Sequence, residues 1–315
     1  MKIGFYQPHL CLRGTTVAMF DYAWGNENIL GNQSIIFYDK NNKHNNSETI
    51  SKFSTFKMHA IENISELDSY IKKENCDAIY ITKGGYKNDG RMATACKTLI
   101  HAIAPVPTTE KHGDVFAYGS YWLSEHCSNG ALPAVPYMVS LPEINEDLRS
   151  ILDIPKSAIV FGRNGGLDTW DLPFANDVLK KVLDKRKDIY FVFQNTNIPF
   201  LHERIKIIPS TPDLVFKTKF INTCDAMIHA RYIGESFGLS CAEFSIRNKP
   251  IITYAGSPER NHIQILGSKG IYYNNAFEMY EKLINFQIQK ATNWNCYQDY
   301  TPEKIMKIFK EVYLK

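Results

Sequence analysis

The sequence predicts an α/β protein built from two Rossmann-like domains that face each other across a cleft. Short apolar runs alternate with longer amphipathic runs, which is the pattern of parallel sheets covered by helices on both faces. The alternation pauses once, where four prolines between Leu132 and Pro155 favour an extended linker. The length of 315 residues also exceeds what a single hydrophobic core usually holds.

The first half supplies six predicted strands and three predicted helices. The strands are Lys2–Tyr6, Gln33–Tyr38, Phe56–Ala60, Ala78–Thr82, Thr98–Ile103 and Val115–Ser120. The helices are Thr16–Leu30, Ile64–Lys73 and Asp89–Cys96. Because helix-length segments separate several of the strands, we expect them to pair in parallel.

The second half repeats this pattern. Its predicted strands are Ala158–Gly162, Ile189–Gln194, Ile205–Ile208, Ala226–Ala230 and Pro250–Tyr254. Its predicted helices are Pro173–Lys185, Leu214–Cys224, Gly238–Asn248 and the amphipathic Pro302–Tyr313. We therefore expect domains at 1–145 and 146–300, with the segment 301–315 packing back on the first domain.

The composition indicates an ordinary globular protein, with 44% hydrophobic and 22% charged residues. A net charge of +3 is too small to predict nucleic-acid binding. The sequence lacks a run of eighteen apolar residues and a leader-like start, so we expect neither a membrane span nor a signal peptide. Seven scattered cysteines favour reduced thiols and a cytoplasmic location over a zinc site.

The strongest chemical signal is the segment 225–243, which reads DAMIHARYIGESFGLSCAE. A predicted apolar strand runs into a loop, and a helix is predicted to begin around Gly238. The free N–H groups of Gly238 and Leu239, together with the helix dipole, favour an anion at this point. Glu235 precedes the helix and Glu243 falls in its second turn, so two carboxylates can bind sugar hydroxyls on either side of a diphosphate.

A second signal is the segment 158–166, AIVFGRNGG, which predicts a strand followed by a glycine-rich loop that includes Gly165. Arg163 lies at the end of this strand. Its guanidinium offers a rigid fork of donors that suits a phosphate group. A surface salt bridge is the alternative role for this arginine.

These segments resemble the retaining glycosyltransferases of family 4, which have the GT-B fold. That family's signature is Glu-x-Phe-Gly-x-x-x-x-Glu after a buried strand, and the segment 249–252, KPII, lies where the family has its following strand. The resemblance implies that Glu235 contacts the transferred sugar, Glu243 the ribose and Arg163 the diphosphate. The family usually has a lysine where this chain has Asp168, and Lys217 is a candidate replacement. The implied donor-binding set is Arg163, Gly165, Glu235, Ser236, Phe237, Gly238, Leu239, Glu243, Gly14 and Lys217.

The resemblance extends more loosely to the first half. The segment 97–101, KTLIH, is similar to a strand end from which a histidine faces the sugar, so His101 joins Glu235 and Arg163 as a catalytic candidate. His112 competes for that place, and a structural histidine is the alternative at both positions. The implied acceptor contacts are His112, Arg13, Asp21 and Arg231.

The resemblance implies a hexosyltransferase that moves a sugar from a nucleotide-diphosphate sugar to a hydroxyl group of a glycan or glycolipid, with retention, as in polysaccharide biosynthesis. The sequence contains no Asp-x-Asp element, so we expect no metal ion, and we expect no organic cofactor. Peripheral contact with a membrane is compatible with a glycolipid acceptor. The alternatives are an epimerase or phosphorylase of the same fold and a non-catalytic nucleotide-sugar-binding protein, which the departure at Asp168 favours.

Overall fold

The computed structural model describes residues 1–289 and 291–315, which divide into two units. Unit 1 consists of Met1–Met138 and Tyr300–Lys315, and unit 2 consists of Val139–Asp299. Each unit has its own parallel six-stranded sheet and its own apolar core. None of the helices in the described ranges is long and apolar enough to cross a membrane.

The strands of the two sheets alternate along the chain with helices. The strands are β1 (Lys2–Gln7), β2 (Gln33–Asp39), β3 (Lys57–Ile61), β4 (Ala78–Lys83), β5 (Lys97–Ala102), β6 (Val115–Tyr118), β7 (Ile159–Asn164), β8 (Ile189–Gln194), β9 (Ile205–Ile208), β10 (Ala226–His229), β11 (Gly234–Glu235), β12 (Ile251–Tyr254), β13 (Glu259–Arg260) and β14 (Ile271–Tyr273). The helices are α1 (Gly14–Asn28), α2 (Ser47–Phe53), α3 (Leu67–Glu74), α4 (Tyr121–Ser128), α5 (Ala175–Lys185), α6 (Leu214–Thr223), α7 (Leu239–Ile246), α8 (Asn261–Leu266), α9 (Ala276–Ile284) and α10 (Pro302–Tyr313). The predicted α/β class, with two Rossmann-like sheets, is confirmed.

The two sheets share one topology. The strand order is β3-β2-β1-β4-β5-β6 in unit 1 and β14-β12-β10-β7-β8-β9 in unit 2. In each sheet the chain runs outward from a central pair, β1 with β4 or β7 with β10, and the strand order reverses there. Open α/β sheets bind ligands outside the carboxyl ends of the strands at this reversal. The topology therefore predicts ligand sites at the carboxyl ends of these two pairs.

Burial on both faces explains the apolar runs of the central strands. All six residues of β4 are buried, including Thr82 and Lys83. In unit 2, α5 and α9 share one cluster of buried side chains with β7, β8 and β10. On α6 and α7, Phe220 and Phe244 meet edge to face at a centroid distance of 5.7 Å. A parallel sheet needs this two-sided cover because neither face of its strands is polar.

The C-terminal helix α10 contributes to the core of unit 1. Phe309 stacks on Tyr22 of α1 with ring centroids 5.3 Å apart. Tyr313 donates a hydrogen bond of 3.1 Å to the carbonyl oxygen of Ile100 in β5. Both side chains are fully buried, and α10 supplies them along one apolar face of its amphipathic pattern.

One predicted helix, Asp89–Cys96, is wrong. The chain forms only a single 3-10 turn, Lys87–Asp89, and Gly90 follows in the left-handed region at φ 73°. Beyond it, the Asp68 carboxylate accepts hydrogen bonds from the backbone N–H groups of Thr94 and Ala95. These amides are therefore satisfied by a side chain instead of by helical carbonyls.

Several elements of the structure are not predicted from the sequence. They are α2, α4, α8, α9 and the strands β11, β13 and β14. Ser120 is predicted as the last residue of a strand, but it instead caps α4 by accepting a hydrogen bond from the N–H of Leu123. Short helices with strong caps carry too few apolar repeats to stand out by periodicity.

We expect Tyr22→Phe to lower the stability of unit 1. The Tyr22 hydroxyl is fully buried and lies 2.8 Å from the carbonyl oxygen of Pro136 and 3.2 Å from that of Val135. Removing it leaves buried acceptors unsatisfied, at a cost of about 1–3 kcal/mol. Thermal unfolding of the variant and of the exposed control Tyr86→Phe measures the effect; equal melting temperatures for the two variants would contradict it.

Candidate functional site

The candidate site lies in unit 2, at the carboxyl ends of the central strands β7 and β10. Arg163 is near the end of β7, and His229 is the last residue of β10. The loop after β10 leads through Arg231 to the short strand β11, whose Glu235 is followed directly by the turn into α7. The strand-order reversal thus brings the two sequence signals, 158–166 and 225–243, to one edge of one sheet.

Glu235 is held by donors on both of its carboxylate oxygens. His229 Nε2 lies 3.1 Å from Oε1, and Arg231 Nη1 lies 2.9 Å from Oε2. Burial raises the pKa of Glu235, but the hydrogen bond from His229 and the charge of Arg231 outweigh it and lower that pKa to about 2. The side chain is 21% exposed, so the carboxylate is ionised, oriented and still accessible.

The turn after Glu235 needs a glycine. Gly238 is the N-cap of α7 and has φ 91°, in the left-handed region. A Cβ atom there would lie 3.0 Å from the Cβ of His262 and 3.3 Å from the Cβ of Glu235. Asn261 fixes the same turn by donating a 2.9 Å hydrogen bond to the carbonyl oxygen of Phe237. Because Gly238 offers no side-chain cap, the first amides of α7 are available to an anion.

Ser236 and Phe237 lie in this turn and Leu239 is the first residue of α7; donor contacts of all three remain predictions. Phe237 is buried and meets the ring of Tyr297 at a centroid distance of 5.8 Å. Ser236 and Leu239 are half-buried and lie on either side of the Phe237–Gly238 pair. Phe237 therefore anchors the turn, while its neighbours remain partly open to solvent.

Glu243 and Lys217 form a buried ion pair. Lys217 Nζ lies 2.7 Å from Glu243 Oε1, and both side chains are less than a tenth exposed. Asn164 Nδ2 is 3.5 Å from the second carboxylate oxygen of Glu243. Lys217 remains only a predicted phosphate contact, and here its ammonium group neutralises Glu243. If Glu243 contacts the ribose as predicted, it must do so while it remains paired with Lys217.

Arg163 is more deeply buried than a direct diphosphate contact requires. Its Nη2 atom donates to the backbone oxygen and to Oγ1 of Thr169, at 2.7 and 2.9 Å, and its guanidinium lies 5.7 Å from the centre of the Trp170 ring. Gly165 packs so closely that a Cβ atom on it would lie 2.7 Å from Nη2. The turn 165–169 therefore covers Arg163, while Nε is buried without a hydrogen-bond partner among the described residues.

His101 does not fit its predicted role as a sugar-facing residue. It lies in β5, between β4 and β6, and its side chain is fully buried. Its Nδ1 atom is hydrogen-bonded to the Tyr80 hydroxyl, and the rings of Tyr22 and Tyr137 contact it edge to face. Burial lowers the pKa of His101 to about 3. These surroundings in unit 1 fit the alternative role of His101, that of a structural histidine.

The other residues predicted in unit 1 lie at separate places. Arg13 and Gly14 are exposed where the loop after β1 enters α1, with Arg13 as its N-cap. Asp21 is half-buried farther along α1. His112 precedes β6, and its Nδ1 atom donates to the carbonyl oxygen of Glu110 at 2.6 Å. Of these four residues, only Arg13 and Gly14 are adjacent to the carboxyl end of a central strand, β1.

Thr253 and His262 are buried behind Glu235, and neither is among the site residues predicted from the sequence. Thr253 is in β12 and His262 is in α8. Pairing of β10 with β12 places Thr253 beside His229. The sequence does offer one signal for Thr253, which is a polar residue inside the predicted strand Pro250–Tyr254. It offers no signal for the position of His262.

In residues 1–289 and 291–315, no three His, Cys, Asp or Glu side chains form a cluster that could hold a metal ion.

The chain is similar to solved glycosyltransferase structures over nearly its whole length. A glycosyltransferase from Rickettsia africae ESF-5 has a TM-score of 0.70 at 15% identity, with 99% of this chain and 98% of that chain covered. Anabaena Alr3699/HepE, in complex with UDP and glucose, has a TM-score of 0.69 at 11% identity, with 99% and 98% covered. Sucrose-phosphate synthase from Thermosynechococcus elongatus has a TM-score of 0.69 at 12% identity, with 100% and 96% covered.

No protein-family model matches the chain, and no curated protein sequence does. At the identities of the solved structures, the similarity establishes the fold. The chain therefore has the GT-B fold found in these glycosyltransferases.

We expect the ion pair between Lys217 and Glu243 to show strong energetic coupling. Lys217→Met or Glu243→Gln alone leaves a polar group buried without its partner and should destabilise unit 2 by about 3–5 kcal/mol. The double variant should lose clearly less than the sum of the two single losses. Denaturant unfolding measures this, with Lys180→Met in an exposed pair with Asp177 as the control. Additive losses would show that the two groups act independently.

Proposed function

We propose that the protein is a retaining glycosyltransferase of family 4 type, which transfers a sugar from a nucleotide-diphosphate sugar to a hydroxyl group of a glycan or glycolipid. The observation that carries this proposal is the placement of Glu235 and Glu243 around the start of α7, at the strand-order reversal of a GT-B fold. This arrangement provides two acceptors for hydroxyl groups and an uncapped helix start for the diphosphate.

Donor binding is assigned to unit 2. The amides at the start of α7 would hold the diphosphate, and the helix dipole would add roughly 0.3–1 kcal/mol per negative charge. Arg163 would add its charge once the turn 165–169 moves away. Its buried Nε, which has no hydrogen-bond partner in the described part of the chain, would then be a free donor. Anabaena HepE, of the same fold, has been solved with UDP and with UDP-glucose, which supports a nucleotide-sugar ligand.

The state of Glu235 argues for one role in the transfer. A carboxylate with a pKa of about 2 and donors on both oxygens is a poor proton acceptor near neutral pH. It is well suited to accept hydrogen bonds from hydroxyl groups of the transferred sugar and to fix its position. The proton of the attacking hydroxyl then passes to an oxygen of the departing diphosphate, on the face from which the acceptor attacks.

The acceptor is assigned to unit 1. Arg13 is exposed beside the carboxyl end of β1, which is one of the two strands at the reversal of that sheet, and the adjacent Gly14 remains a predicted donor contact. Arg231 of unit 2 is partly exposed next to Glu235 and is a further candidate contact. His112 and Asp21 are retained as weaker candidates because neither lies at the end of a central strand.

A non-catalytic nucleotide-sugar-binding protein is the second candidate. The pairing of Lys217 with Glu243 and the cover over Arg163 favour it, because both reduce the charge available to stabilise a leaving diphosphate. Incubation with a nucleotide sugar and a panel of hydroxyl acceptors separates the two. A transferase releases nucleoside diphosphate only as glycosylated product accumulates, whereas the binding protein releases none.

The two glutamates should differ in kinetics. Glu243→Gln should raise the donor KM with little change in kcat per folded molecule, because a ribose is bound equally in the ground and transition states. Glu235→Gln should lower kcat roughly tenfold or more, on the order of 1.4 kcal/mol, because sugar positioning matters most as the bond to phosphate lengthens. Steady-state kinetics decide this, with the exposed Glu203→Gln as the control. Full kcat in Glu235→Gln would exclude its proposed role.

Transfer should not depend on a divalent cation. In this proposal the start of α7 and Arg163 neutralise the departing diphosphate, which is the role that a metal ion has in other transferases. Product formation should therefore be the same with and without excess EDTA. Loss of activity with EDTA, restored by Mn²⁺ or Mg²⁺, would show that an ion supplies that charge.

A further inference from the structure

Behind Glu235, three buried side chains form an unbroken line of hydrogen bonds. His229 Nε2 lies 3.1 Å from Glu235 Oε1, and His229 Nδ1 lies 2.9 Å from Thr253 Oγ1. Thr253 Oγ1 in turn lies 3.1 Å from His262 Nε2. His229, Thr253 and His262 have no exposed surface. The line therefore connects the Glu235 carboxylate to α8 through the interior of unit 2.

With both histidines neutral, the hydrogen atoms along this line can point in only one direction. An ionised carboxylate only accepts, so His229 must carry its proton on Nε2 and donate it to Glu235. The unprotonated Nδ1 of His229 must then accept from the Thr253 hydroxyl. Because that hydroxyl has one hydrogen, it accepts from His262, which must carry its own proton on Nε2. His262 Nδ1 is left buried without a hydrogen-bond partner among the described residues.

We propose that Thr253 and His262 are positioning residues, which fix the ring orientation of His229 and so hold the Glu235 carboxylate where it binds the transferred sugar. The inference rests on the proposed function, because it concerns the same carboxylate. It assigns a role to two side chains that do not touch the substrate. Each hydrogen bond in the line polarises the next one, so the donor that reaches Glu235 is strengthened by those behind it.

The electrostatic surroundings favour neutral histidines in this line. Burial lowers the pKa of His262 to about 3 and is also the largest cause lowering that of His229. The other charged or titratable groups that face the line are Arg163, Arg231, Cys241, Glu259, Arg260 and Tyr273. Protonation of His229 would place a hydrogen on Nδ1, where it can no longer accept from Thr253. The line is therefore intact above the folded-state pKa of His229 and breaks as the pH falls through it.

Kinetics of three threonine variants of the full chain test the role of Thr253. Thr253→Val removes the hydroxyl at nearly constant shape and should lower kcat roughly tenfold with little change in donor KM. Thr253→Ser keeps the hydroxyl and should retain most of the parental kcat. Thr223→Val, which removes an equally buried hydroxyl at the end of α6, should behave as the parent does. Parental kcat in Thr253→Val, or equal losses in all three variants, would overturn the proposal.

The pH profile adds a readout that a packing defect would not move. Without the hydroxyl, Nδ1 of His229 loses the donor that holds the ring in place, and a less well aligned hydrogen bond from Nε2 to Glu235 raises the pKa of the carboxyl group. The acid limb of kcat/KM should therefore move to higher pH in Thr253→Val and stay in place in Thr223→Val. The same acid limb in both variants would contradict the proposed link.

His262 is tested by a pair of substitutions at one position. Gln is able to present an amide N–H group near the place of the imidazole Nε2, whereas Leu offers no donor. His262→Gln should therefore keep more of the parental kcat than His262→Leu, with both variants compared at equal folded fraction by circular dichroism. Equal kcat in the two variants would show that the N–H group of His262 has no part in positioning.

Nuclear magnetic resonance of isotope-labelled imidazole nitrogens tests the line independently of turnover. At neutral pH the spectra should show both His229 and His262 as neutral rings with the proton on Nε2. Thr253→Val should shift the Nδ1 resonance of His229, because that nitrogen loses its hydrogen-bond donor. A protonated ring, or a proton on Nδ1 of His229 in the parent, would overturn the proposal. If no nucleotide sugar supports transfer, the proposed function fails, and these spectra still decide the direction of the hydrogen bonds.

Discussion

The ionised carboxylate of Glu235 is the constraint around which unit 2 is arranged. Taking a carboxylate largely out of water costs several kcal/mol unless donors replace the lost hydration. His229 from β10 and Arg231 from the following loop supply those donors. The turn at Gly238 must then bring the chain past Glu235 and into α7 without adding a side chain. The strand order, the loop and the helix start are all consistent with holding this partly buried charge in place.

The parts of the fold and site that the sequence predicts are those with a local signature. Periodicity locates most of the strands, and the spacing of Glu235 and Glu243 places both around one helix start. His101 shows the limit of such reasoning, because a histidine near a strand end can point into the core as readily as toward a ligand. The predicted helix Asp89–Cys96 fails for a similar reason, since the carboxylate that binds its amides comes from Asp68, outside that segment.

Contacts between distant segments are the part that sequence reasoning does not reach. The sequence predicts Lys217 and Glu243 separately as donor-site residues. Their mutual neutralisation depends on the packing of α6 against α7, which the sequence does not show. His262 reaches Thr253 only because α8 follows the β13 strand that pairs with β11. These contacts change what the predicted residues can do: they set the charge available to a phosphate and the orientation of a carboxylate. The chemistry of the site is thus determined as much by these partners as by the motif.

The discontinuity of unit 1 has a consequence for biosynthesis. Unit 2 is continuous in sequence, whereas unit 1 is interrupted by it and resumes only at Tyr300. Met306, Phe309 and Tyr313 of α10 are fully buried in the core of unit 1. During translation, the ribosome therefore releases the whole of unit 2 before the apolar face of α10 can cover its place on α1. Until then a nascent chain exposes part of that core, and unit 2 is the first unit that can complete its folding.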